Sequence, residues 1–276
     1  MTRVLGVVSG KGGVGKTTTS VNLAYALRNL NQKVILVDCN LSTPHMSYYL
    51  GTTDYKYTLN DVLLGRVNIM SALHTYDGIR HIPASLNLKD LVGLDTTKIK
   101  KHLKNLMVPS KVDFIILDSA PGLGREAVSV LDTANEIVFV TTPYVPMLND
   151  VIRCKSVLTE MQGGKTLHLV LNMVTGEKHE IHYKTIADVV DIPVVGQIPY
   201  DKGVLHSLSF KSPIVTYKPD SFASIGFMQL ASTLLNKEFK VPAKYKLYQI
   251  FNKVKNSILP GFSNPAVEDI RKEISR

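Results

Sequence analysis

The chain has 276 residues, of which 45% are hydrophobic, and its formal net charge is +9 at pH 7. This length suits one large α/β domain with or without an appendage, and no stretch approaches the roughly 20 apolar residues of a membrane-spanning helix. Because Cys39 and Cys154 form no CxxC pair and no signal peptide precedes the first strand, we expect a cytoplasmic protein whose positive charge favours anionic partners.

Apolar runs alternate with helical patterns along most of the chain. The runs are nearly continuous in Val, Ile and Leu, which is typical of strands covered on both faces of a sheet. The alternation predicts a doubly wound, mostly parallel α/β sheet with its ligand at the carboxyl ends of the strands. The predicted strands are 3–8, 33–38, 79–83, 113–118, 136–142, 167–172 and 194–198. The predicted helices lie around 17–30, 43–50, 59–64, 96–107, 124–132, 147–162, 180–190 and 220–236.

A complete G-x-x-x-x-G-K-[ST] motif lies between the first predicted strand and the first predicted helix. Its glycines let backbone N–H groups turn toward phosphate oxygens, and the helix N-terminus adds a favourable dipole. We expect Lys16 to neutralise the β- and γ-phosphates and Thr17 to ligate Mg²⁺. Lys11 is an extra cation that suggests a charge acting only in some conformation or assembly. The predicted phosphate-binding residues are Gly10, Lys11, Gly12, Gly13, Val14, Gly15, Lys16, Thr17 and Thr18.

Two of the later apolar strands end in an acid, Asp38 and Asp118. An acid at the end of a strand that faces a phosphate loop holds Mg²⁺ and its waters in nucleotide hydrolases. Each Asp could instead cap the helix that follows it. Gly122, in the turn after Asp118, is placed to offer its backbone N–H to the γ-phosphate and so to report whether that phosphate is present.

These motifs closely resemble those of the deviant Walker A ATPases, and within that family the MinD proteins of the archaeal type. The resemblance covers residues 1–236 and implies the P-loop NTPase fold. Asp38-Cys39-Asn40 with Pro44 and Leu50-Gly51 is similar to the family's first switch, and 118–126 is similar to its second. The resemblance also implies that Asn172 reads the adenine edge, and that a loop containing Pro199 and Asp201 closes over the base.

Membership of this family implies ATP and Mg²⁺ as ligands and a homodimer in the ATP state. Lys11 is then the lysine that reaches across the interface to the partner's phosphates, so that ATP favours the dimer and hydrolysis dissolves it. The sequence departs from the family at Asn40, where a second acid usually helps to position the attacking water. Because an amide can orient a water but cannot accept its proton, we expect slow turnover in which Lys11, Lys16, Asp38, Asn40 and Asp118 form the catalytic set.

The last part of the chain has a different pattern. Residues 243–259 lie between Pro242 and Pro260-Gly261, which are start and stop signals for a helix, and their apolar residues fall on one face with lysines along both edges. A helix packed on its own domain or on a dimer partner fits this pattern, but the lysines and the MinD resemblance favour a helix that lies on acidic membrane lipids. The predicted membrane residues are Lys244, Lys246, Leu247, Ile250, Phe251, Lys253, Val254, Lys255 and Ile258.

The sequence therefore predicts four segments: an ATPase domain (1–236), a basic linker (237–242), the amphipathic helix (243–259) and a polar tail (260–276). As function we expect a membrane-cycling ATPase, cytoplasmic and peripheral on the inner face of the cell membrane, that positions other protein complexes through an unidentified cargo or activator. The alternative is a ParA-like partition ATPase that binds DNA nonspecifically, which is disfavoured because lysines concentrate near the terminal helix. An iron–sulfur carrier of the same superfamily would need a closely spaced cysteine pair.

Overall fold

The chain forms one mostly parallel sheet, as the alternation of its sequence predicts. The computed structural model describes residues 2–161 and 164–247, apart from the side chains of 108–110, and in these residues eight strands follow the order β3-β4-β2-β5-β1-β6-β7-β8. Neighbouring strands are parallel except for β3 and β4. The strands are β1 (Arg3–Val8), β2 (Val34–Cys39), β3 (His74–Tyr76), β4 (Ile79–Ile82), β5 (Phe114–Ser119), β6 (Glu136–Thr141), β7 (Thr166–Val174) and β8 (Val194–Pro199).

Helices cover both faces of the sheet, so the chain is a three-layer α/β protein. One face packs against α1, α2, α9 and α10 and the other against α3 to α7. All six residues of β2 and of β5 are buried, which explains why these strands read as continuous apolar runs. The helices are α1 (Lys16–Asn29), α2 (Met46–Leu50), α3 (Leu59–Leu63), α4 (Ile99–Ser110), α5 (Arg125–Thr133), α6 (Val145–Glu160), α7 (Tyr183–Val190), α8 (Lys202–Ser209), α9 (Ile214–Tyr217) and α10 (Phe222–Leu234).

The order of the strands places a crevice at the end of β1. Strand β1 lies between β5 and β6, so the chain connections lead away from it in opposite directions at the carboxyl edge of the sheet. Strands β2 and β5 pair in a register that sets Asp38 beside Asp118. The loop after β1 and the two strand-end acids therefore meet at one edge of the sheet.

The structure differs from the sequence prediction at the edges of the fold. Strand β3 was not predicted, because three residues that are largely open to solvent carry little apolar pattern. Helices α8 and α9 were not predicted either; they are short and follow β8, where the sequence shows no long amphipathic repeat. Helix α2 begins at Met46, later than the predicted residue 43, because the loop before it closes on itself through Asn40.

The chain beyond α10 is described as far as residue 247. Residues 243–247 form a helical turn in which the N–H groups of Tyr245 and Lys246 donate to the carbonyl of Pro242. The rest of the predicted amphipathic helix and the polar tail lie outside the described residues, so the division into four segments stays a prediction. Among the helices that the structure describes, none has the length and apolar character to cross a bilayer.

Candidate active site

The loop between β1 and α1 has the backbone shape of an anion site. Gly13 and Gly15 have φ angles of 84° and 87°, in the left-handed region that favours glycine. A Cβ at Gly15 would lie 2.1 Å from Nδ2 of Asn172, so this position has no room for a side chain. Gly15 is also the N-cap of α1 and provides no side-chain cap. The first N–H groups of α1 are therefore left to bind a negatively charged ligand.

Lys16 and Asp118 are buried together below this loop. Lys16 Nζ lies 3.9 Å from Oδ1 of Asp118, and their side chains are only 8% and 1% exposed. Ser20 donates to the same Oδ1 at 2.9 Å. Within the described part of the chain, Oδ2 of Asp118 is buried without a hydrogen-bond partner. A buried acceptor without a partner costs free energy, and a hard cation such as Mg²⁺, which prefers oxygen ligands, would satisfy it.

Asp38 adds a second buried carboxylate beside the first. It accepts hydrogen bonds from the backbone N–H of Asn40 at 3.0 Å and of Met46 at 3.4 Å. Burial, followed by the negative charge of Asp118, raises the pKa of Asp38 well above its ordinary value. A divalent cation beside both carboxylates would stabilise the ionised form of Asp38. The donor set of Thr17, Asp38 and Asp118 therefore fits Mg²⁺.

Asn40 faces the cavity, but its side chain is already bonded within its own loop. Thr43 Oγ1 donates to Asn40 Oδ1 at 3.0 Å, and Asn40 Nδ2 donates to the carbonyl of Thr43. These two bonds fix the orientation of the amide within its own loop. The sequence gives no sign of this, because Thr43 is three residues away and does not belong to the strand-end motif.

Gly122, in the loop after β5, is likewise bonded to a neighbour. Its φ angle is 77°, and its backbone N–H donates to the carbonyl of Ser9 at 2.9 Å. The N–H predicted to contact the γ-phosphate is therefore directed at the end of β1 in this structure. It would become available to a phosphate only if the loop moved away from Ser9.

Lys11 has a different environment from Lys16. It is exposed, and among the residues that the structure describes it has no ion-pair partner. Its carbonyl accepts a hydrogen bond from Ser9 Oγ at 2.9 Å, which fixes the backbone at the start of the loop and leaves the side chain unconstrained. The two lysines of the motif are therefore not equivalent, since one is buried against an acid and the other is open to solvent.

A cavity of about 380 Å³ joins the phosphate loop to the predicted base-binding residues, a size typical of small-molecule sites. Asn172, which lines it, donates from Nδ2 to the carbonyl of Val14 at 2.8 Å, so this side chain also holds the loop in place. Asp201 caps α8 by accepting from the N–H of Gly203 at 2.8 Å. The predicted residues that line the cavity are Lys11, Gly12, Gly13, Gly15, Lys16, Thr17, Thr18, Asn40, Asn172, Pro199 and Asp201; Gly10, Val14, Asp38, Asp118 and Gly122 are not among its lining.

Several lining residues were missed from the sequence. Tyr49, in α2, places its hydroxyl 2.9 Å from Thr18 Oγ1 and so joins the first switch to the start of α1. Burial raises the pKa of Tyr49 above its ordinary value. Three other missed residues, Val204, Leu205 and Leu208, belong to α8, a helix that was not predicted. The remaining lining residues without a predicted role are Ser9, Thr43, His45, Pro121, Met173, Ile198, Tyr200 and Phe227.

Only the first three predicted membrane residues lie in the described part of the chain. Lys244 pairs with Asp220 at 2.9 Å, and Leu247 is 66% exposed. Between them Tyr245, which was not predicted to have a role, is 2% exposed, and its ring lies 5.9 Å from that of Phe222. The others, Ile250, Phe251, Lys253, Val254, Lys255 and Ile258, lie outside the described residues.

Comparison with known families and structures gives one consistent result. The ParA family model, described as NUBPL iron-transfer P-loop NTPase, matches residues 1–235. An uncharacterised ATP-binding protein of Methanocaldococcus jannaschii is 29% identical over 254 residues, which are 92% of this chain and 95% of that protein.

Two solved archaeal structures are also similar. The cell division ATPase MinD of Pyrococcus furiosus is 32% identical with a TM-score of 0.80, covering 86% of this chain and 99% of that one. The septum site-determining protein MinD of Pyrococcus horikoshii, solved with Mg-ADP, is 31% identical with a TM-score of 0.79, covering 85% and 96%.

Proposed function

The chain belongs to the ParA/MinD family of P-loop NTPases, and from this membership we propose that it is a MinD-type ATPase whose ATP-bound dimer attaches to a membrane and positions another protein assembly. The observation that carries the proposal is the contrast between the two lysines. Lys16 is buried against Asp118, whereas Lys11 is exposed at the mouth of the same cavity. A cation that its own subunit does not engage is available to the phosphates of a second subunit.

ATP and Mg²⁺ are the ligands of this cavity. The P-loop family membership, the uncapped N-terminus of α1 and the buried lysine all support a nucleotide phosphate there. Thr17, Asp38 and Asp118 would hold the metal, which would satisfy Oδ2 of Asp118, an atom with no hydrogen-bond partner in the residues that the structure describes. When bound, Mg²⁺ neutralises charge on the terminal phosphates.

The chain's own residues position the reactants of ATP hydrolysis. Lys16 provides a fixed positive charge for the phosphates, and the loops after β2 and β5 enclose the place where a water would attack. The amide of Asn40, which lines the cavity, is bonded to Thr43 and carries no negative charge. We therefore expect slow intrinsic hydrolysis, in which positioning rather than proton transfer provides the rate enhancement.

Dimer formation is the link between nucleotide and membrane in this proposal. If Lys11 contacts the partner's γ-phosphate, the dimer is more stable with ATP than with ADP, and hydrolysis shifts the population back to monomers. One amphipathic helix binds lipid weakly, whereas a dimer that presents two such helices binds much more tightly. The charged and apolar pattern of 243–259 supports this step. Iron transfer is not part of the proposal, because Cys39 and Cys154 are buried in β2 and α6 and form no sequence pair.

Gel filtration with ATP or ADP tests the proposal directly. We expect the wild-type chain to dimerise with ATP and to be monomeric with ADP, while Lys16→Ala loses nucleotide binding and stays monomeric. Lys11→Ala should bind ATP with an affinity within about threefold of wild type and yet fail to dimerise. Lys33→Ala, which removes an exposed lysine at the opposite edge of the sheet, is the matched control and should dimerise normally. A Lys11→Ala dimer as stable as that of wild type contradicts the proposal.

The expected slow turnover has its own test in the same preparation. Asn40→Asp restores a carboxylate to the first switch, and we expect its steady-state ATPase rate to exceed that of wild type by several fold. A wild-type rate equal to or above that of the variant would show that the amide of Asn40 does not slow hydrolysis.

A further inference from the structure

A side-chain hydrogen bond joins the two switch loops. Ser42, in the loop after β2, donates from Oγ to Oε1 of Glu126 in the first turn of α5. The two residues are 84 positions apart in the chain. Ser42 shares its loop with Asn40, and Glu126 follows the loop that contains Gly122. The bond therefore ties together the two segments that flank the terminal-phosphate end of the cavity.

The second oxygen of Glu126 makes this contact unusual for a helix-terminal acid. A carboxylate in the first turn of a helix is stabilised by the helix dipole, and that alone would explain an acid at this position. Such an acid normally points to solvent, yet Oε2 of Glu126 is buried and has no hydrogen-bond partner in the described part of the chain. Because an unsatisfied buried oxygen costs free energy, the fold holds this carboxylate in place against that cost.

The loop that Ser42 belongs to has little else to fix it against α5. Asn40 and Thr43 bond to each other, so their side chains stabilise the loop internally and do not reach the second switch. Asp38, at the base of the loop, is bonded to the N–H groups of Asn40 and Met46. The internal bonds set the shape of the loop, and the bond from Ser42 sets where that shape lies relative to α5.

We propose that Glu126 is a positioning residue which, through Ser42, locks the first switch loop to the second, so that both face one terminal phosphate. The inference rests on the proposed function, since it concerns the geometry of ATP hydrolysis in the same cavity. Glu126 is not among the residues that line the cavity, so its effect passes through the loop and not through contact with the nucleotide. Breaking the lock should therefore lower the rate of hydrolysis without weakening nucleotide binding.

The test uses variants on both sides of the bond in the full-length chain. Ser42→Ala and Glu126→Ala each remove it, and we expect kcat for ATP hydrolysis to fall about tenfold while KM and the affinity for a fluorescent ATP analogue stay within about twofold. Ser42→Thr keeps the hydroxyl on an exposed residue and should restore most of the rate. The double variant Ser42→Ala/Glu126→Ala should be no slower than either single variant, because both remove one interaction.

Asp132→Asn is the matched control. It removes a carboxylate from the far end of the same helix, where Asp132 forms an exposed ion pair with Lys100, and its kcat should equal that of wild type. Thermal unfolding of each variant shows whether it is folded. If Glu126→Ala does not fold, Ser42→Ala still tests the proposal, because Ser42 is exposed. If Ser42→Ala has the kcat of wild type, or if the losses of the two single variants add in the double variant, the proposed role of Glu126 is wrong while the proposed function stands. A wild-type chain that binds and hydrolyses no ATP overturns the proposed function and the lock with it.

Discussion

At the scale of single residues, the buried acids of the predicted site differ from a buried histidine whose hydrogen bond lies within the fold. Beside Lys16, Asp118 has a buried oxygen that finds no hydrogen-bond partner among the described residues. Burial and the charge of Asp118 raise the pKa of Asp38. His81, fully buried in β4, is instead paired with the hydroxyl of Tyr55 at 3.1 Å. Oδ2 of Asp118 can therefore accept a cation, whereas the hydrogen bond of His81 stabilises the fold.

His81 gives the fold a defined sensitivity to acid. Burial, with a smaller effect of nearby His74, lowers the pKa of His81 to about 4. Because its pKa in the unfolded chain is higher, at about 6.5, the unfolded state binds the proton first as the pH falls. The contribution of His81 to stability is complete above pH 6.5 and declines until about pH 4. Between pH 7 and 4.5 we expect this group to cost about 2 to 3 kcal/mol of unfolding free energy.

Urea unfolding at both pH values measures this loss, and the comparison with His81→Gln isolates it from the acids that titrate in the same range. The variant cannot bind the proton, so its unfolding free energy should fall less than that of wild type over the same interval. An equal decline in the two proteins would assign the acid sensitivity to other groups.

At the scale of elements, the first turn of the C-terminal helix has two opposite surfaces. Tyr245 is buried against Phe222 at the start of α10, and Lys244 pairs with Asp220 nearby. Leu247, two residues further on, is largely exposed. Since successive helical residues are about 100° apart, Tyr245 and Leu247 face opposite directions, and Leu247 belongs to the apolar stripe of the sequence. This turn therefore packs on the domain through Tyr245 and leaves Leu247 exposed.

Substitutions at these two positions should have opposite effects. Tyr245→Ala should lower the unfolding free energy by about 2 to 4 kcal/mol, because it empties a buried aromatic site, and denaturant unfolding measures this. Leu247→Ala should change stability by less than about 0.5 kcal/mol but weaken ATP-dependent co-sedimentation with vesicles of anionic lipid. A Leu247→Ala protein with lower stability and unchanged vesicle binding would mean that the stripe packs on the protein.

At the scale of the whole molecule, the residues of the predicted nucleotide site lie at one edge of the sheet. The phosphate loop follows the central strand β1, the acids end β2 and β5, and Asn172 comes from β7 to hold the loop. The C-terminal turn packs at the start of α10, whose residue Ala223 donates its N–H to Asp201 at the base end of the cavity. The predicted nucleotide site and the C-terminal turn are thereby connected through α10.

Truncation separates these parts if it is made at the right residue. A chain ending at residue 247 keeps Tyr245, so we expect unchanged stability, ATP binding and ATP-dependent dimerisation but loss of co-sedimentation with anionic vesicles. A chain ending at residue 242 should also lose stability, because Phe222 is uncovered. Vesicle binding that survives the shorter deletion contradicts the membrane proposal. DNA binding that falls steeply with salt and is kept by the chain ending at residue 247 would favour the partition ATPase.

The sequence by itself determined the fold class, the phosphate loop and the strand-end acids. These depend on local patterns: continuous apolar runs for buried strands, glycines at fixed spacing, and an acid directly after a strand. Strand β3 and helices α8 and α9 lacked such patterns, since short elements are specified mainly by what they pack against. Family resemblance added roles for Lys11, Asn172 and Asp201. The three residues line one cavity, and their roles stay predictions.

Only the tertiary structure decided how the site is held together. Three hydrogen bonds join residues that are far apart in the chain. They link Asn172 to Val14, Tyr49 to Thr18 and Ser42 to Glu126, over 158, 31 and 84 positions. No periodicity or spacing encodes such pairs, because they exist only once parallel strands bring their carboxyl ends to one edge. The sequence specifies which groups can meet a phosphate, and the packing of the sheet decides which of them are free to do so.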